Sequence, residues 1–182
     1  MAANDNQPRS VTPPPGGFDW LHAAALDERL GEEIKRAERQ STELSCLLVA
    51  IDNLDELASE HGEELREQTL GYVASALRRE IRGFDRIGRP SDRELMIVLP
   101  GADGARGEIV ARRVLDRLQT IKVEAGGARR QLRVSVGLAP WQEGASAQEL
   151  LARTRAASRR GNGEETRAPA DPEQPGPVPG PG

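Results

Sequence analysis

The chain has 182 residues and a formal net charge of −4, with 37% hydrophobic and only 3% aromatic residues. That length suits one domain of the usual size, roughly 100–150 residues, with an aliphatic core. The acidic balance disfavours nucleic acid or a membrane surface as a partner. The longest apolar run, Leu47 to Ile51, is far shorter than the roughly 20 residues of a membrane span, and the single cysteine, Cys46, excludes intrachain disulfides. We expect a soluble cytoplasmic protein.

Both ends of the chain differ in composition from its middle. Residues 1–17 are polar and end in Pro-Pro-Pro-Gly-Gly, and residues 163–182 are rich in Pro and Gly. Such segments cannot bury enough apolar surface to fold, so we expect both to be disordered and the folded domain to occupy residues 18–162. A Pro-rich tail can also be a ligand for an aromatic groove of another protein, and this alternative stays open.

The first half of the domain predicts two helical stretches around one strand. Apolar spacing indicates a helix over 20–40, and residues 43–52 are typical of a buried central strand. A second helical stretch over 54–82 is expected to break near Gly62 and to end in a left-handed cap at Gly83. The inward faces are predicted to hold Leu21, Ala25, Leu26, Leu30, Ile34 and Ala37, and then Leu57, Leu65, Leu70, Val73, Ala74 and Leu77.

The second half predicts further strands and two more helices. Strands are expected at 85–88 and 94–99 with a turn between them, then at 121–124 and 130–138 around a Gly-Gly turn. Helices are expected over 105–118, where Ile109 should be buried, and over 147–159, where Ser146 caps the first turn. The order predicts an α+β fold of the ferredoxin-like split βαβ type, an antiparallel sheet with its helices on one face.

Four stretches of the domain, in this order and spacing, resemble the GGDEF domain of diguanylate cyclases. They are residues 33–39, 47–52, 94–100 and 134–139. This bacterial signalling family makes cyclic di-GMP from two GTP molecules, each held with magnesium on one subunit of a dimer. The resemblance therefore implies this nucleotide-cyclase-like fold and suggests a homodimer.

The residues that the family uses to bind metal are altered. The first Asp of the family's Asp-x-Asp pattern corresponds to Ala50, and Asp52 takes only the second place. The Gly-Gly-Asp/Glu-Glu-Phe signature corresponds to Ser91, Asp92, Arg93, Glu94 and Leu95. A methyl group and a guanidinium thus stand at two metal-carboxylate positions, although magnesium requires oxygen ligands. We expect no metal, no cofactor and no catalytic residues.

The family's substrate contacts are altered as well. Its guanine-reading Asn and Asp correspond to Ala58 and Glu67, and its lysine after the first strand corresponds to Asp55. The C-terminal Ala-Asp-x-Ala-Leu-Tyr-x-Ala-Lys pattern becomes a segment beginning Thr154-Arg155, in which the phosphate-contacting lysine has no clear counterpart. The resemblance therefore implies that GTP binding and catalysis are both lost.

One family feature is retained in register. Active cyclases bind their product at an Arg-x-x-Asp pattern five residues before the signature, and here Arg82 and Asp85 hold that place, with Arg113 matching a secondary arginine. A guanidinium can stack on guanine or bind phosphate, and a carboxylate can accept guanine N–H groups. The competing interpretation is that Arg82 merely complements a helix C-terminus and pairs with Asp85.

Three functions remain to be compared. The preferred hypothesis is a catalytically inactive GGDEF domain, not an enzyme, that acts as a cyclic di-GMP receptor or effector through Arg82, Asp85 and Arg113. A second is a degenerate domain kept only for protein interaction or dimerisation with an unknown partner, and the third is an active cyclase. Titration with cyclic di-GMP separates the first two, and GTP turnover tests the third.

Overall fold

The computed structural model describes residues 20–165. The segments expected to be disordered, residues 1–17 and nearly all of 163–182, lie outside the described residues, so those expectations stay predictions. The last helix begins where the sequence places it, at Ala147, but runs on to Glu165 instead of ending at Arg159. The chain therefore stays helical past the predicted end of the domain.

Seven strands and five helices occur between residues 20 and 165. In chain order they are β1 (Leu21–His22), α1 (Ala23–Gln40), β2 (Leu44–Ile51), α2 (Leu54–His61), α3 (Glu63–Arg78), β3 (Arg86–Ser91), β4 (Glu94–Pro100), α4 (Gly104–Gln119), β5 (Lys122–Ala125), β6 (Ala128–Gln131), β7 (Val134–Pro140) and α5 (Ala147–Glu165).

The main sheet has five strands in the order β1-β3-β4-β2-β7. Strand β2 is paired antiparallel with β4 and β7, whereas the short β1 runs parallel to β3, which makes the sheet mixed. Strands β5 and β6 form a separate hairpin, whose turn uses Gly126 and Gly127 at positive φ. The α+β fold expected from the sequence is confirmed.

Helices cover both faces of the sheet, which corrects the expectation that they lie on one face. Helices α2, α3 and α4 pack on one side, against residues such as Leu47 and Ile97. Helices α1 and α5 pack on the other, against residues such as Leu48 and Val98. Every residue of β2 is buried. A strand that is apolar at every position needs cover on both faces, and the two helical layers supply it.

Several local expectations are corrected by long-range packing. Helix α1 starts only at Ala23, since Leu21 belongs to β1, and Ala25 is exposed. The break at Gly62 is confirmed, with φ of 99°. The left-handed cap at Gly83 is wrong, because α3 ends at Arg78 with a right-handed C-cap. Ile109 is 66% exposed instead of buried, because α4 faces the sheet with Val114 and Leu118.

The predicted strand 130–138 is two strands. Residues up to Gln131 pair in the small hairpin, and those from Val134 onward pair with β2. Strand β7 lies close to α5 at Gly137, where an added Cβ would lie 2.2 Å from the backbone nitrogen of Ser158. The cap at Ser146 is confirmed, because its hydroxyl accepts from the Glu149 backbone and its own N–H donates to the Glu149 carboxylate.

Candidate functional site

The signature turn, Ser91 to Leu95, joins β3 to β4 and lies beside the end of β2. The Ile51 N–H donates to the Arg93 carbonyl over 3.0 Å, and Ala50 is paired with Glu94 across the sheet. On the other side, Ala50 is paired with Ser135 of β7, whose hydroxyl donates to the Asp52 carboxylate. The residues aligned with the metal site of the family are therefore brought together.

Glu94 is held by an arginine from α5. The Arg155 Nε lies 3.1 and 3.2 Å from the two carboxylate oxygens, and its Nη2 lies 2.7 Å from Oε2. The Glu94 side chain is only 12% exposed. Burial alone would raise the pKa of Glu94, but hydrogen bonds from Arg155 and Ser91, together with the charges of Arg155 and Arg93, hold the pKa below its usual range. Glu94 is therefore an ionised, paired carboxylate.

A second ionic network lies under the turn. The Arg66 side chain, largely buried, donates to Asp55 over 2.6 Å and to Glu63 over 2.8 Å. These two carboxylates raise the pKa of Arg66 above its usual range, which keeps it charged. Arg66 also reaches the Asp92 carbonyl, and the half-exposed Arg93 approaches Asp55 at 3.9 Å. Asp55 thus binds arginines instead of presenting the lysine of the family.

Glu67, which stands at a guanine-reading position of the family, is also paired with an arginine. Glu67 receives two hydrogen bonds of 2.8 Å from Arg89, which hold the pKa of Glu67 below its usual range. The Arg89 guanidinium lies over the Trp20 ring at 5.3 Å from its centroid. Ala58, which stands in place of the guanine-reading Asn, is buried. Ala58 therefore presents no hydrogen-bonding side chain to a base, and the Glu67 carboxylate is already bound to Arg89.

These contacts show that the residues present do not fit the magnesium that the family uses. Among the side chains of residues 20–161, no group of three or more His, Cys, Asp or Glu could hold a metal ion. The side chain of Ala50 offers no oxygen, that of Arg93 carries a positive charge, and Glu94 is bound to Arg155. Hard cations need several oxygen ligands together, so the cleft lacks the donor set.

The Arg-x-x-Asp residues lie between α3 and β3. The buried Asp85 carboxylate accepts the Arg82 backbone N–H over 2.8 Å, and the Asp85 N–H donates back to the Arg82 carbonyl. The Arg82 side chain is exposed, and its guanidinium lies 5.8 Å from the centroid of the Phe84 ring. Asp85 therefore fixes the turn, while Arg82 points its charged group into solvent.

Arg113 lies on α4 close to this turn. It forms an ion pair with Glu80 at 3.4 Å and donates to the Glu80 carbonyl. Burial raises the pKa of Asp85, although the Arg82 N–H and the charges of Arg82, Arg86 and Arg113 act to lower it. The charge of Arg113 acts on Asp85, so the three residues singled out in the sequence lie in one neighbourhood.

An open groove of about 340 Å³ follows the outer face of α4. Its lining includes Arg113 together with Ile109, Arg112 and Asp116. Phe84 and Ile109 are among the largest exposed apolar side chains of residues 20–161, at 52% and 66%. The Arg-x-x-Asp neighbourhood thus adjoins a surface with both charged and apolar groups.

Sequence reasoning missed the partners of the altered positions. It did not foresee that Arg155 binds Glu94, that Arg66 binds Asp55, or that Arg89 binds Glu67. The signal available was a charge match: each of these three carboxylates has an arginine that no helix or strand pattern required. Without the fold, that signal could not choose among the many arginines.

Fold and signature turn together define a GGDEF-type domain. The family of the diguanylate cyclase GGDEF domain matches residues 23–165, and the chain belongs to this family. The domain is 33% identical over 110 residues to the uncharacterized membrane protein YdaK of Bacillus subtilis, covering 60% of this chain and 38% of YdaK. It is 29% identical over 115 residues to the diguanylate cyclase DgcP of Pseudomonas aeruginosa, covering 63% of this chain and 16% of DgcP. The chain thus spans well under half the length of both relatives.

Solved structures share the fold at low sequence identity. The GGDEF domain of DgcB from Caulobacter crescentus, in complex with c-di-GMP, gives a TM-score of 0.75 at 18% identity, over 87% of this chain and 94% of that one. The FimX GGDEF domain from Pseudomonas aeruginosa gives 0.73 at 16%, over 82% and 96%. The diguanylate cyclase SiaD from Pseudomonas aeruginosa, bound to its activator SiaC, gives 0.73 at 24%, over 79% and 55%. Within residues 20–165, no helix is long and apolar enough to cross a membrane.

Proposed function

We propose that this chain is a catalytically inactive GGDEF domain that binds cyclic di-GMP through Arg82, Asp85 and Arg113. One observation carries the proposal: a buried carboxylate, Asp85, lies within the field of Arg82 and Arg113, whose own side chains reach solvent. Such a set offers cations for two phosphates and an acceptor for guanine N–H groups. The fold shared with a c-di-GMP complex of DgcB is consistent with this ligand.

The absence of catalysis is supported by the altered cleft. Cyclisation of GTP in this family depends on magnesium, and Ala50, Arg93 and the paired Glu94 leave no oxygen cage for it. The position that reads guanine is paired too, since Glu67 binds Arg89. The domain therefore acts as a receptor in the cytoplasm, where it passes the ligand signal to a protein partner.

Two copies of the domain are expected to share the ligand. Cyclic di-GMP carries two phosphates and two flat bases, so a stacked pair of ligands presents charge and aromatic faces on both sides. The groove beside Arg113 is open to solvent. The expected assembly is a homodimer bridged by ligand.

A protein-interaction module is the second candidate, and the contacts of Asp85 favour it. The carboxylate accepts the Arg82 N–H, so Arg82 and Asp85 have a structural reason to occur together without a ligand. Exposed Phe84 and Ile109 would then belong to a contact surface for another protein. Binding measurements on single variants distinguish the two functions.

The deciding experiment is calorimetric titration with cyclic di-GMP. Losing a charge-assisted hydrogen bond costs about 1.5–3 kcal/mol, so Arg82→Ala should weaken binding roughly 10- to 150-fold. Arg79→Ala is the matched control, since Arg79 is exposed nearby and lies outside the proposed site. Arg89 would be a poor control because it is tied to Glu67 and Trp20. No binding by the parent chain, or equal binding by Arg82→Ala, would refute the receptor function.

A turnover assay tests the inactive cleft separately. We expect no conversion of GTP to cyclic di-GMP with either magnesium or manganese, because Ala50 and Arg93 supply no carboxylates. Product above background, measured by chromatography and abolished by Glu94→Ala, would show an active cyclase instead.

A further inference from the structure

The ion pair between Glu94 and Arg155 stands where the family resemblance implies a metal ion. Glu94 is the metal-type carboxylate that the signature turn keeps, and both of its oxygens accept from Arg155, at 2.7 to 3.2 Å. We infer that Arg155 is a built-in counter-ion of Glu94, which replaces a divalent cation and makes this cleft independent of metal.

The geometry leaves little for a metal to bind. The Arg155 Nη2 donates to Oε2 of Glu94, and its Nε is shared between Oε1 and Oε2, so both oxygens of the carboxylate already accept from a guanidinium. A divalent cation would have to displace this guanidinium or approach it against like-charge repulsion. Arg93, at the tip of the same turn, adds a second positive charge, and Ala50 faces Glu94 with a methyl group.

The pair also joins two elements that are distant in sequence. Glu94 begins β4 and Arg155 lies in the middle of α5, 61 residues later. The side chains of Glu94 and Arg155 are only 12% and 31% exposed, so the loss of either charge should lower the stability of the domain. Removing one partner of such a pair leaves the other charge without compensation, which destabilises more than removing both. Arg155 therefore stabilises the packing of α5 on the sheet while it neutralises Glu94.

This inference rests on the proposed inactivity of the cleft. To Ala50 and Arg93 it adds the pair of Glu94 and Arg155 as a third obstacle to metal binding. Restoring carboxylates at positions 50 and 93 alone should restore only weak metal binding, because Arg155 would still neutralise Glu94. Neither experiment below uses GTP or cyclic di-GMP, so their failure is distinguishable from failure of the proposed function.

The first experiment measures Mn²⁺ binding by calorimetry in engineered chains. The double variant Ala50→Asp/Arg93→Glu should bind Mn²⁺ weakly. Adding Arg155→Met should tighten binding by at least about 10-fold, since Glu94 then becomes a free ligand. The control adds Arg159→Met, which removes the same charge from an exposed position of α5 and should leave binding as in the double variant. Equal tightening by both substitutions, or none by Arg155→Met, overturns the inference.

The second experiment needs no metal-binding variant, so it decides the matter if the engineered chains do not fold. Denaturant unfolding is compared for the parent, Arg155→Met, Glu94→Gln and the double variant. We expect Arg155→Met to raise the unfolding constant about 10-fold or more, which is ~1.4 kcal/mol. Glu94→Gln in the Arg155→Met background should recover much of that loss, because no uncompensated charge remains. Simple additivity of the two substitutions would show that Arg155 is not the counter-ion of Glu94.

Discussion

At the scale of single residues, two different contacts require the one carboxylate of Asp85. It accepts the Arg82 N–H to fix the turn, and the proposed ligand needs the same group as an acceptor. The contact uses Oδ2, so the second oxygen is the one that a guanine N–H would meet. A carboxylate accepts such bonds fully only when it is ionised, which makes the binding reaction sensitive to the protonation of Asp85.

The pKa of Asp85 predicts how ligand affinity changes with pH. Burial raises this pKa, against the opposing effects of the Arg82 N–H and of the charges on Arg82, Arg86 and Arg113. Protonation on acidification therefore starts at a higher pH than for an ordinary aspartate, and the affinity for cyclic di-GMP should fall as pH falls through the raised pKa.

The control for this prediction is Asp85→Asn, which keeps an acceptor oxygen but cannot titrate. Its affinity should be lower than that of the parent at neutral pH and should change less on acidification. Glu80, the carboxylate that pairs with Arg113, is unchanged in this variant. Parallel pH profiles for the two proteins in calorimetry would contradict the assignment of Asp85.

The raised pKa of Asp85 has opposite effects on ligand binding and on stability. Acidification weakens binding, but it makes the contribution of Asp85 to the free energy of unfolding more favourable. Because the folded-state pKa of Asp85 is raised, its contribution to the free energy of unfolding is most favourable below the ordinary aspartate pKa, and it is lost as pH rises through the folded pKa. The unliganded domain should therefore lose less stability on acidification than Asp85→Asn loses. Denaturant unfolding of both proteins over that pH window tests the sign.

At the scale of elements, the contact between α5 and β7 depends on a missing side chain. An added Cβ at Gly137 would lie 2.2 Å from the Ser158 nitrogen and 2.4 Å from the Thr154 carbonyl oxygen. Both are backbone atoms of α5 and cannot rotate away. Gly137→Ala should therefore push α5 from the sheet and destabilise the fold by about 1–3 kcal/mol or more.

A glycine on an open helix surface provides the comparison. Gly71 lies in α3, and nothing lies within 4 Å of an added Cβ there. Gly71→Ala should stabilise by up to about 1 kcal/mol through helix propensity. Urea unfolding of the two variants distinguishes the destabilising clash with α5 at position 137 from the general effect on stability of replacing glycine with alanine. Equal stability of Gly137→Ala and the parent would mean that α5 packs more loosely than described.

The elements also show what sequence can predict. The break at Gly62 and the cap at Ser146 follow from local chemistry, and both were predictable. The exposure of Ile109 was not, because it depends on which face of α4 meets the sheet. Altered site positions such as Arg93 could be read from the resemblance, whereas the pairing of Glu94 with Arg155 required the fold, since 61 residues separate them.

At the scale of the whole molecule, two aliphatic cores share one sheet. Odd-numbered residues of β2 such as Leu47 and Val49 belong to one core, and even-numbered ones such as Cys46 and Leu48 belong to the other. The two helical layers therefore cannot separate without exposing β2. Because β2 has strand neighbours on both edges as well, its side chains should become accessible only when the domain unfolds as a unit.

The reactivity of the single cysteine, Cys46, measures whether the domain unfolds as a unit. Cys46 lies in β2 with no exposed surface, and burial raises the pKa of its thiol to about 12. Since the thiolate is the reactive form, a disulfide reagent should not modify the native chain and should react promptly in denaturant. When refolding is faster than labelling, the labelling rate should follow the unfolding constant, so Gly137→Ala should be labelled about 5-fold faster or more and Gly71→Ala more slowly. A rate that is the same in all three proteins would instead mean that β2 opens locally, and that the two cores do not unfold as one.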